Sequence, residues 1–267
     1  MEPLVAHWLG RVPYRAAWDL QRRLARARAS GRIGDHLLLL EHPAVLTLGR
    51  QADDIHVLAP PGLLEERGIE VLRVERGGEV TYHGPGQLVA YPVVHLNDRG
   101  LLLRPYVRAL EAAMSATCAA HGVTAGRREG HPGCWVDAEG VFPRKIGALG
   151  VRIERGVAYH GIALNVTVNL DDFGLIDPCG MPGLRSTSIA AETGRRADLP
   201  SLASVAAAAT VFAPALAAAM GGHLAAEPKT GETADTDAEL AALEHLLTEA
   251  EAAAAADAEA EAAVAAR

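Results

Sequence analysis

The sequence predicts an α+β (α/β) domain built on a mixed, largely antiparallel sheet with flanking helices. Three observations lead there. Short strand-like apolar runs outnumber helical periods. The strands come in hairpin-like groups, not in strict strand–helix alternation, which disfavours an all-parallel sheet. Hydrophobic residues make up 49% of the 267, enough for one large core.

The elements follow in chain order. Residues 14–29 form an amphipathic pattern, with Ala17, Leu20 and Leu24 on one stripe, arginines opposite and Gly31 as the stop. Residues 36–41 and 45–48 are short strands split by Pro43. Residues 71–74 alternate apolar and polar, as a half-buried strand does. Residues 87–96 form a more apolar strand. Residues 102–121 form a helix, with Pro105 near its first turn and Gly122 as its stop. Three more strands are expected over 134–137, 146–154 and 157–168, the last two as a hairpin across Arg155 and Gly156. Residues 201–220 form an alanine-rich helix, with a kink expected at Pro214.

The charge divides the chain into two parts. Residues 227–267 hold 11 acidic and 2 basic residues, net −9, while residues 1–226 hold 22 acidic and 23 basic, net +1. The sequence therefore predicts a folded unit over 1–226 and an acidic, low-complexity Ala/Glu tail over 227–267. The tail is expected to be disordered and to solvate without packing, with at most a short helix over 240–247. A nearly neutral folded unit argues against a nucleic-acid partner. Cys118, Cys134 and Cys179 are not spaced as a disulfide framework. The first residues do not read as a signal peptide, and no apolar run is long enough for a membrane span. A reducing cytoplasm is the expected compartment.

Of 25 basic residues, all but Lys145 and Lys229 are arginine. Lysine can titrate when buried and arginine cannot, so Lys145 is a candidate for proton chemistry. A lysine left by chance is the plain alternative. Residues 76–87 hold four glycines, one proline and the polar side chains Arg76, Thr81, Tyr82, His83 and Gln87. Glycine allows backbone to approach a ligand closely; an ordinary hairpin is the alternative. No Walker A or dinucleotide fingerprint occurs. A hairpin would set Gly147 to Gly150 beside His160 to Ala163, a small-residue wall against which an acyl chain could lie. Cys179 stands in a tight turn between Pro178 and Gly180. Such a thiol becomes a good nucleophile beside a cation, and is otherwise an inert loop cysteine. Lys145, 34 residues upstream, could be that cation, but spacing alone does not join them. His131 and Cys134 have a spacing open to a metal but lack further ligands. His36, His42 and His95 read as structural, and Arg127, Arg128, Arg152 and Arg155 as solvated charges.

Together these stretches resemble the lipoyl(octanoyl) transferases of lipoate biosynthesis. The Arg-Gly-Gly-x-x-Thr-Tyr-His-x-x-Gly-Gln run is matched from Arg76 to Gln87, and the Arg-Lys-Ile segment from Arg144. His-Gly-Phe-Ala-Leu-Asn is matched from His160 to Asn165 with Ile162 in place of Phe, and Pro-Cys-Gly from Pro178 to Gly180. Glu41-His42-Pro43 and Thr47 to Arg50 also fit. The resemblance covers roughly residues 10–220 and leaves the tail outside.

It implies a fold similar to biotin and lipoate protein ligases, with residues 1–226 as the catalytic domain. It further implies transfer of an octanoyl group from octanoyl-acyl carrier protein to a lysine of a lipoyl domain, such as those of 2-oxoacid dehydrogenase E2 subunits or glycine cleavage H protein. Cys179 would carry the acyl thioester and Lys145 would lower the thiol pKa. Substrate contacts would come from Arg76, Gly77, Gly78, Glu79, Val80, Thr81, Tyr82 and His83, from Ala148, Leu149 and Gly150, and from Gly161, Ile162 and Ala163. No cofactor, metal, nucleic acid or membrane is expected. The competing readings are an ATP-dependent ligase, a non-catalytic binding module and a cysteine hydrolase. The Pro-Cys-Gly turn favours the transferase.

Overall fold

The computed structural model describes residues 2–194, 201–230 and 234–265. In chain order its main elements are β1 (Val5–Arg11), α1 (Tyr14–Ala29), β2 (His36–Glu41), β3 (Val45–Leu48), α2 (Pro61–Glu66), β4 (Glu70–Arg73), β5 (Val80–His83), β6 (Gln87–His95) and α3 (Leu103–Ala120). Then come β7 (Gly126–Arg128), β8 (His131–Val136), β9 (Arg144–Glu154), β10 (Val157–Asn165), β11 (Arg185–Ser186), α4 (Ile189–Glu192), α5 (Ser201–Ala219) and α6 (Thr236–Ala265).

Among the described residues these strands make two sheets. The larger runs β1-β2-β6-β10-β9-β8-β7, with β11 added beside β9. Only the β1–β2 and β11–β9 pairs are parallel, so the sheet is mixed and largely antiparallel, as the hairpin grouping of the sequence predicts. The smaller sheet runs β4-β3-β5.

The larger sheet is covered on both faces. Side chains alternate across a strand, so Leu37 and Leu39 pack with α3 and α5, while Leu38 and Leu40 pack with α1 and α6. That is why β2 has four leucines in a row: a central strand buried on both faces loses the polar alternation. β6 does the same, sending Leu88, Ala90 and Val94 one way and Val89, Tyr91 and Val93 the other. Leu46, Leu48, Val80 and Tyr82 of the small sheet form a separate core with Val168, Leu175 and Ile176.

The tail departs from expectation. Thr236–Ala265 is one helix, and Leu243, Leu247 and Ala250 are buried against the α1 face of the sheet. Its acidic residues meet arginines of α1 and of the turn after it: Arg23 of α1 bonds Glu244 and Glu251, and Arg32 bonds Asp257. Glu239 reaches His7 of β1. The tail thus packs where solvation was expected, because a stripe at helical spacing and a complementary basic face outweigh its low complexity.

Candidate active site

Lys145 lies on β9, in register with Trp135 of β8 on one side and Ser186 of β11 on the other. This holds its backbone from both edges and leaves its side chain buried, at 8% exposure. Nζ donates to the Pro132 carbonyl at 3.2 Å and to Cys179 Sγ at 3.1 Å. It also sits 5.0 Å from the centroid of the Trp135 ring, where the π face adds to the stabilisation of a cation.

Cys179 is half-buried in the tight turn Pro178–Gly180. Its φ of 59° lies in the left-handed region, uncommon for a residue with a side chain. The turn is fixed from outside. Asp177 donates its N–H to the His56 carbonyl at 2.9 Å, and Gly180 donates to Asp177 at 3.0 Å. The geometry brings together a thiol and a primary amine that the sequence leaves 34 residues apart.

Both open onto a cavity of about 470 Å³. One wall is the β9–β10 hairpin, where Gly150 faces Gly161, Leu149 faces Ile162 and Ala148 faces Ala163. The opposite wall is the glycine-rich loop and β5, through Arg76, Gly77, Gly78, Glu79, Val80, Thr81 and His83. The walls close up because they lack side chains: a Cβ on Gly150 would come within 2.6 Å of the Gly77 carbonyl oxygen. Leu103 and Val107 of α3 add apolar surface. A small-residue channel with an apolar lining suits a flexible hydrocarbon chain.

Of the expected substrate residues, all but Tyr82 line this cavity. Tyr82 turns into the small-sheet core, donates its hydroxyl to Asp172 at 2.8 Å and packs against Phe173. Along β5, Thr81 and His83 face the cavity while Tyr82 faces the small-sheet core with Val80, which also borders the cavity at the start of the strand.

Tyr14, Tyr91 and His160 also line the cavity; of these the sequence points only to His160, at the start of the small-residue wall. Tyr91 lies in an otherwise apolar strand, and Tyr14 opens a helix. Aromatic residues in such positions look like core, so only the tertiary arrangement reveals them. The histidines beside them are held neutral. Burial lowers His42 to about 4; its Nδ1 donates to the Val12 carbonyl at 2.6 Å and its Nε2 accepts from the Tyr91 hydroxyl at 2.8 Å. Burial, with His42 and Arg76 nearby, pushes His83 well below its ordinary value, and its Nδ1 bonds Gln87 Oε1 at 2.8 Å. Burial raises Tyr14 to about 12. Arg76 is lowered by burial, and its guanidinium braces the Thr47 hydroxyl and carbonyl and the Gly77 carbonyl.

His131 lines the cavity while Cys134 lies in the core, and no group of three or more metal-ligating side chains occurs among the described residues. No helix among them is long and apolar enough to cross a membrane. Cys118 and Cys134 are buried as free thiols, as their places in regular elements suggest.

The model of the lipoyl protein ligase A/B catalytic domain matches residues 13–210. The octanoyltransferase of Chloroflexus aggregans is 47% identical over 204 residues, covering 76% of this chain and 91% of that protein. The octanoyltransferase of Acidobacterium capsulatum is 50% identical over 192 residues, 69% of this chain and 78% of its own length. Among solved structures, lipoate-protein ligase A bound with ATP superposes with a TM-score of 0.63 at 14% identity, covering 92% of this chain and 95% of that one. The bipartite lipoate protein ligase of Thermoplasma acidophilum gives 0.59 at 13% identity, with 92% and 93% coverage. The distant structures establish the shared fold and the close sequences establish the branch: this chain belongs to the lipoyl protein ligase A/B catalytic family, among its octanoyltransferases.

Proposed function

We propose that the chain moves an octanoyl group from octanoyl-acyl carrier protein to a lysine of a lipoyl domain, through a thioester on Cys179 and without ATP. The observation that carries this is the 3.1 Å contact between Lys145 Nζ and Cys179 Sγ at the cavity. An ammonium at that distance stabilises a thiolate. The thiolate attacks the donor thioester carbonyl, and the tetrahedral oxyanion collapses to release the carrier thiol, which takes its proton from Lys145. One thioester replaces another, so the step needs no activation by ATP. Backbone N–H groups of the glycine-rich loops would stabilise the oxyanion.

Lys145, now neutral, accepts a proton from the incoming amine. The amine attacks the acyl-enzyme, an amide forms, and Cys179 leaves as thiolate. The acyl chain lies along Ala148, Leu149, Gly150, Gly161, Ile162 and Ala163, against Arg76 to Thr81 and His83. Acceptors of this chemistry are lipoyl domains of 2-oxoacid dehydrogenase E2 subunits and glycine cleavage H protein. Free thiols and a carrier-protein donor favour a cytoplasmic setting.

The test is an intact-mass spectrum after mixing the protein with octanoyl-acyl carrier protein in the absence of ATP, followed by a lipoyl domain. The expected result is an octanoyl adduct on Cys179 that disappears as the lipoyl domain gains the same mass. Transfer that requires free octanoate and ATP would place the chain with the ligases instead.

A further inference from the structure

Glu111 is a carboxylate at 1% exposure on α3, among otherwise mostly apolar inward residues. A charge so buried is costly unless it is fully bonded. Its Oε2 accepts from Arg108 at 2.7 Å and lies 3.5 Å from Arg127 Nε. Its Oε1 accepts the backbone N–H of Gly133 at 3.1 Å. That N–H and the Pro132 carbonyl belong to one peptide unit, and the Pro132 carbonyl is the acceptor of Lys145 Nζ. In a trans peptide the N–H and C=O point in opposite directions. Glu111 and Lys145 therefore grip one amide plane from its two sides.

Gly133 makes this possible. Its φ of +133° is outside the usual range of residues with side chains, and a Cβ there would stand 2.6 Å from the Gly147 oxygen and 2.9 Å from Lys145 Cε. The lysine stem occupies the space that a side chain at position 133 would need.

We infer that Glu111 is a positioning residue for Lys145, acting through the Pro132–Gly133 peptide. A lysine side chain gives up rotamer freedom when fixed in one geometry. A fixed acceptor holds Nζ on the line to Sγ. The carboxylate also polarises the amide it binds, which strengthens the carbonyl as an acceptor. This inference rests on the Cys179/Lys145 assignment proposed above.

The test uses the full chain and needs no acyl substrate for its first readout: the rate of Cys179 alkylation by iodoacetamide as a function of pH. Cys118 and Cys134 are fully buried and do not compete. Glu111→Leu is expected to move the alkylation curve to higher pH, part of the way to that of Lys145→Ala. The same variant should lower kcat for octanoyl transfer by roughly 10–100-fold with little change in KM. Glu111→Gln keeps an oxygen that accepts the Gly133 N–H and should recover most of both losses. Gly133→Ala should shift the curve in the same direction as Glu111→Leu, and with Glu111→Gln it decides the matter if Glu111→Leu does not fold. A folded Glu111→Leu protein with the parent alkylation curve overturns the inference, as does a Glu111→Gln protein as impaired as the leucine variant. If Lys145→Ala itself keeps the parent curve, the Cys179/Lys145 assignment fails first and takes the inference with it.

Discussion

At the scale of the residue, the proposed mechanism depends on one side chain, Lys145, that can both hold and release a proton. Arginine at position 145 would keep the charge beside Cys179 but could not become a base. Lys145→Arg is expected to retain acylation of Cys179, because the carrier can leave as a thiolate and take its proton from water, and to slow the second transfer by roughly 10²–10⁴-fold. Single-turnover mass spectrometry resolves the two phases; equal slowing of both would refute the division of labour. The candidates themselves were legible: Lys145 stood out in an arginine-rich chain, and Cys179 stood out in a Pro-Cys-Gly turn. Their contact was not, because it arises from β11 pairing with β9 just after the turn that carries the thiol. Tyr82 shows the opposite error. A motif names a stretch, but strand alternation decides which of its residues face the ligand.

At the scale of the element, α1 and β2 were read at their observed bounds because each carries an unmixed pattern, one amphipathic and one fully apolar. β5 is not legible in the sequence because it is embedded among glycines, and β1 is not because Val5–Arg11 has neither clear alternation nor a turn signal before it. α6 was undervalued for another reason. Leu240, Leu243, Leu247 and Ala250 recur at helical spacing, but alanine and glutamate dominate its composition. Burial of two leucines implies that removing residues 234–267 costs about 3–6 kcal/mol in stability. No residue of α6 lines the cavity, so turnover of the truncated protein should match the parent at temperatures where it remains folded. Thermal unfolding paired with an activity assay tests both halves; lost turnover in a folded truncation would mean that α6 reaches the site.

At the scale of the whole molecule, buried neutral histidines set the acid limit. Burial holds His42 at about 4, and burial with His7 beside it holds His36 at about 4, against 6.5 for an ordinary histidine. Between those values the unfolded chain binds protons that the native protein excludes, so stability falls as pH drops from about 6.5 to about 4. Each histidine can contribute up to roughly 3 kcal/mol to that loss. Denaturant titrations at pH 7.5 and 5.0 should show the decline, and His42→Gln should flatten it; an unchanged midpoint across this range would show that the histidines titrate freely.

The turn that carries Cys179 also has a temporal meaning. The thiol lies on a segment anchored to His56, while its amine partner lies on β9 of the other sheet. Contacts between such distant parts of a chain close late in folding. Until they close, the cysteine is an ordinary thiol with no cation beside it. Under the proposed mechanism, a chain in which this contact has not closed is a poor acyl acceptor, so acylation competence reports completed folding.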